Sequence, residues 1–73
     1  MKTIMILGDT GLVGRHLVKE FQNDFEIIGL SRSMDLFDYK HIAFDLENES
    51  IVSVLERFQP DYFMYLEKNT RYL

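Results

Sequence analysis

Thr3-Ile4-Met5-Ile6-Leu7-Gly8-Asp9-Thr10-Gly11-Leu12-Val13-Gly14 is the stretch on which the fold turns. Thr3 to Leu7 is one continuous apolar run that stops abruptly at Gly8. A strand buried on both faces reads this way, whereas a half-exposed strand alternates. From Leu12 the spacing changes to a period of 3.6. Leu12, Val13, His16, Leu17 and Phe21 then share a face, with Arg15, Lys19 and Glu20 largely off it. Three glycines fall at the junction, and each has a physical use there. Gly8 lets the chain reverse with angles that a Cβ obstructs. Gly11 admits an anion close to the backbone, and Gly14 lets the helix pack tightly on the strands. The free N–H groups of the first helical turn, with the helix dipole, favour a pyrophosphate at that end.

Outward from this turn, short apolar runs alternate with helix-period segments. Gln22-Asn23-Asp24 stops the first helix, Glu26 to Leu30 is a second strand, and Ser31-Arg32-Ser33 follows it. Met34 to Lys40 lacks a period and reads as a loop, and His41 to Asp45 as a short third strand. Asn48 is the expected N-cap of a second helix, on which Ile51, Val54, Leu55 and Phe58 recur at helical spacing. Pro60, the one proline, biases Gln59 away from helix. Asp61 to Leu66 is the fourth strand, and its aromatics Tyr62, Phe63 and Tyr65 are expected in the core. The order β-α-β-β-α-β fits a split antiparallel unit as well as a parallel α/β sheet. The glycine turn favours the parallel sheet, half of a doubly wound fold with strand order 3-2-1-4.

Composition narrows the function classes. Seventy-three residues make one domain at most, and a chain this short buries only about 60% of its unfolded surface. There is no cysteine, hence no disulfide or thiolate-zinc staple. A net charge of −4 offers no general attraction to a phosphate backbone, so no nucleic-acid partner is expected. Ile4 to Leu7 is too short for a signal sequence or a membrane span, which makes a cytoplasmic location without membrane contact the expectation. His41 has no second histidine or cysteine beside it, so no metal site is expected. His16 reads as packing or boundary.

The segment Ile6 to Gly14 resembles the T-G-x-x-G-x-x-G start of the extended short-chain dehydrogenase/reductases, with Leu7 where that family usually has Thr. It is nearest to the members that modify sugar nucleotides, such as dTDP-4-dehydrorhamnose reductases and nucleotide-sugar epimerases and dehydratases. Asp45-Leu46 resembles the family's Asp-Leu pair, whose carboxylate faces the adenine amine. Phe58-Gln59-Pro60-Asp61 resembles its x-x-P-D turn. The resemblance implies a partial Rossmann fold and an NAD(P) cofactor. The contacts it implies fall at Gly8, Thr10, Gly11, Leu12, Val13, Gly14, Ser31, Arg32, Asp45 and Leu46. It covers residues 2 to about 66, so residues 1–66 are expected to form the N-terminal half of a dinucleotide-binding domain, followed by a non-family polar tail at 67–73.

Cofactor choice rests on the end of the second strand. An acidic residue there binds the ribose 2′-OH of NAD, whereas Arg accommodates the NADP 2′-phosphate. Leu30-Ser31-Arg32-Ser33 has no carboxylate, and Arg32 can pair bidentately with a phosphate, which predicts NADP over NAD. The proton-handling Tyr-x-x-x-Lys of the family is missing. Four residues beyond Tyr39, Tyr62 and Tyr65 stand Ala43, Leu66 and Asn69, and Tyr72 has no such residue after it. The expectation is a dinucleotide-binding segment, truncated and without catalytic residues of its own. The alternative is a non-enzymatic fragment that self-associates through an open sheet edge.

Overall fold

The computed structural model describes residues 1–66. Along the chain run β1 (Thr3–Leu7), α1 (Leu12–Phe21), β2 (Glu26–Ser31), β3 (Lys40–Ala43), α2 (Ile51–Phe58) and β4 (Tyr62–Tyr65). The strands form one sheet in the order β3-β2-β1-β4, every pair parallel. This is the α/β architecture and strand order that the glycine turn predicts.

The apolar run of β1 is continuous because both of its faces are covered. Met5 and Leu7 join Ile28, Leu30 and Phe44 on one face, where Ile51, Val54, Leu55 and Phe58 of α2 pack. Ile4 and Ile6 join Ile27 and Val18 on the other, under Leu17 and Phe21 of α1. Helices therefore lie on opposite faces of the sheet, with β1 and β2 at its centre.

Several expectations are corrected in detail. The inward face of α1 is Gly14, Leu17, Val18 and Phe21, whereas Leu12 and Val13 are exposed by 83% and 61%, and His16 is exposed too. Gly14 fixes this rotation. A Cβ there would strike the Gly8 carbonyl and lie 2.8 Å from the Asp9 Cα, so that side of the helix must face the turn. The N-cap of α2 is Ser50, whose side chain accepts from the Ser53 N–H at 3.4 Å. Asn48 is instead drawn into a turn, its Nδ2 donating to Asp45 Oδ2 at 2.7 Å. Strand β3 starts one residue early and ends at Ala43. The aromatics of β4 are not core: Tyr62, Phe63 and Tyr65 are exposed by 49%, 37% and 51%. β4 lies at the sheet edge, with β1 as its neighbour, so its side chains lack the cover that β1 enjoys.

Pro60-Asp61 acquires a role in this geometry. Gln59 takes a left-handed conformation (φ 45°) that closes α2. Asp61 then accepts from the Thr3 N–H at 2.7 Å through Oδ2, tying the start of β4 to the start of β1.

Candidate functional site at the carboxyl edge of the sheet

In an open parallel sheet, ligands bind outside the carboxyl ends of the strands, where the strand order reverses. Here that point lies between β1, followed by Gly8, and its neighbours β2 and β4. The turn is held by backbone bonds: Gly8 N–H to the Leu30 carbonyl (2.8 Å), Gly11 N–H to the Gly8 carbonyl (3.2 Å) and Arg15 N–H to the Gly11 carbonyl (2.9 Å). Gly8 has φ 101°, and a Cβ on it would lie 2.6 Å from the Leu66 carbonyl oxygen. Only glycine fits there without strain.

Helix α1 begins without a side-chain cap and without an acidic residue in its first turn. Its first N–H groups have no intrahelical acceptor, and the helix dipole favours negative charge at this end. A hollow of ≈ 500 Å³ opens over this end, lined by Gly8, Thr10, Gly11, Leu12, Val13, Gly14 and Leu66. A second hollow of ≈ 350 Å³ has Gly8 and Leu66 in common with it and reaches Ser31, Arg32, Asp45 and Leu46. Every residue expected to contact the cofactor thus lines one of two adjoining hollows. The exposure of Leu12 and Val13, unexpected on an amphipathic helix, is explained by their place on this wall.

Asp45 is bonded on every polar group within its own turn. Its Oδ1 accepts from Glu47 N–H at 3.1 Å and its Oδ2 from Asn48, while its own N–H donates to Glu49 Oε2 at 3.1 Å. Each carboxylate oxygen has a further lone pair for an amine. A turn that only glycine can form, an uncapped helix end and an adjoining hollow that reaches Arg32 and Asp45 thus meet at the carboxyl edge of the sheet.

Behind the turn lies a cluster that the sequence does not announce. Asp9 is fully buried. Its Oδ2 accepts from the Tyr39 hydroxyl at 2.6 Å and sits 2.7 Å from His41 Nδ1. Gly29 on β2 makes room for it, since a Cβ there would collide with the carboxylate and lie 2.8 Å from Tyr39 Cε1. Phe37 packs on the His41 ring, centroids 4.1 Å apart and planes tilted by 33°, and closes the cluster. Burial, and after it the Asp9 carboxylate, push the Tyr39 phenol far above its ordinary value of 10.0. Among the described residues, no group of three His, Cys, Asp or Glu side chains could hold a metal. No helix among them is long and apolar enough to cross a membrane.

The profile of the NAD dependent epimerase/dehydratase family matches residues 4–71. The chain belongs to this family. Membership brings with it a nicotinamide dinucleotide as cofactor. The chain is also similar to the UDP-N-acetylglucosamine 4-epimerase from Bacillus cereus, whose crystal structure it matches with a TM-score of 0.76 at 26% identity. That match covers 99% of this chain and 24% of the epimerase. The chain therefore spans about a quarter of the length of this family relative. A search of curated proteins gave no match.

Proposed function

We propose that this chain is the dinucleotide-binding segment of an epimerase, dehydratase or reductase acting on a sugar nucleotide, and that it binds NADP in preference to NAD. The observation that carries the reading is the meeting of the glycine turn, Ser31-Arg32 and Asp45-Leu46 in two adjoining hollows that share Gly8 and Leu66 at the carboxyl edge of the sheet. Residues 1–66 form the N-terminal half of the binding domain in this reading. The pyrophosphate lies over Gly8, Gly11 and Gly14, against the amides of Leu12 and Val13, with Thr10 on the rim. The adenosine lies between Ser31 and Leu46, its amine toward Asp45. Arg32, exposed at the mouth of the groove, takes the 2′-phosphate, and no acidic residue stands at the end of β2 to oppose it. When bound, the dinucleotide supplies hydride chemistry. The residues of this chain bind and orient it, and proton transfer falls to residues outside this chain.

Titration of the chain with NADP and with NAD tests the reading. NADP should bind more tightly by about tenfold, as a charge-assisted bond to one phosphate warrants. Arg32→Ala should bring the two affinities together. An unchanged ratio in that variant would remove Arg32 from the site.

A further inference from the structure

The buried Asp9–His41 pair joins the two ends of the proposed groove. Asp9 belongs to the glycine turn. His41 belongs to β3, and both of its ring nitrogens face acceptors: Nδ1 the Asp9 carboxylate at 2.7 Å, Nε2 the Ser33 carbonyl at 3.0 Å. Nε2 also lies 3.4 Å from the Ser31 hydroxyl. Ser31 and Ser33 flank Arg32, and the Ser33 N–H donates in turn to Ser31 Oγ at 3.2 Å. The His41 side chain is 6% exposed and that of Asp9 0% exposed, so the contact between them is shielded from bulk water.

We propose that His41, anchored by Asp9, is a positioning residue that fixes the Ser31–Ser33 segment and thereby aims Arg32 at the phosphate on the adenosine ribose. The inference rests on the cofactor reading above and adds a specificity determinant beneath the binding surface. The two ends of the groove are held differently. The glycine turn is fixed by its own backbone bonds to β2 and within α1, which do not pass through His41. The residues on either side of Arg32 bond to His41 itself. Loosening His41 therefore acts on the ribose-phosphate end and leaves the pyrophosphate end in place.

His41→Phe keeps the ring volume and the packing on Phe37 but strands a buried carboxylate, which threatens the fold. The double variant Asp9→Asn, His41→Phe removes that charge while leaving an oxygen to accept from Tyr39. Affinities for NADP, NAD and adenosine 2′,5′-bisphosphate are measured on the full chain, with far-ultraviolet circular dichroism as the check of fold. In the folded double variant, NADP and the bisphosphate should each weaken by about tenfold while NAD changes by less than about threefold. His41→Gln, which keeps a donor for one of the two acceptors, should fall between the double variant and the wild type. Equal weakening of NADP and NAD, or no weakening of either, would make the pair merely structural and overturn the inference. If the wild-type chain binds neither dinucleotide, the cofactor reading fails and takes this inference with it. Wild-type binding with unchanged variants overturns the positioning role alone.

Discussion

Asp9 shows how one residue can serve two ends of a fold. A carboxylate so deeply placed needs donors, and it finds two on the segment leading into and through β3, the Tyr39 hydroxyl and the His41 ring. Tyr39 has a measurable consequence. Its phenol is held neutral by burial and by Asp9, so the folded chain keeps that proton to a higher pH than the unfolded chain, whose tyrosines ionise near pH 10. Above about pH 10 the unfolded state then binds fewer protons, and the stability present below that pH is lost progressively as pH rises. Denaturant titrations at increasing alkaline pH should show this fall, and Tyr39→Phe should flatten it. Parallel alkaline slopes for the two proteins would contradict the account. The turn glycines Gly8 and Gly14 are legible in the sequence because their place depends on local spacing. Asp9 and His41 are not, since their partnership spans 32 positions and an acid inside a glycine turn looks like a solvated loop residue.

The elements are legible where burial is two-sided or a helical period is long. β1 and β2 are recognisable as apolar runs because helices cover both faces. The stripe Ile51, Val54, Leu55, Phe58 gives α2 for the same physical reason, since those side chains pack on the sheet. Helix rotation and caps are less legible. The apolar residues Leu12 and Val13 mimic a core face, yet the close approach of Gly14 to the turn rotates them outward onto the groove. Asn48 and Ser50 are both competent caps by residue type, but Asn48 is held in a turn back to Asp45, and the helix starts only after Ser50. Ser50→Ala should therefore destabilise the chain by about 0.5–1 kcal/mol, read as a lower denaturant midpoint at an unchanged slope. A midpoint equal to that of the wild type would contradict the cap.

At the scale of the molecule, the sheet order places the glycine turn beside the strand-order reversal, and the site follows from that placement. β1 lies between β2 and β4, so the end of β1 opens into a crevice bounded by Ser31-Arg32 on one side and Leu66 on the other. Strand order is readable from the sequence, because the glycine turn selects a parallel sheet. The exposure of β4 is not, because an aromatic strand at an edge has the same composition as one in a core.

Every assignment above depends on a dinucleotide lying along these adjoining hollows. Backbone amide chemical shifts recorded by nuclear magnetic resonance during titration with NADP test it most directly. The amides of Gly8, Gly11 to Gly14, Ser31, Arg32, Asp45 and Leu46 should move together and saturate, while those of Lys2, Glu26 and Asp61 at the opposite edge of the sheet stay in place. Shifts concentrated at that opposite edge, or none in a folded chain, would contradict it.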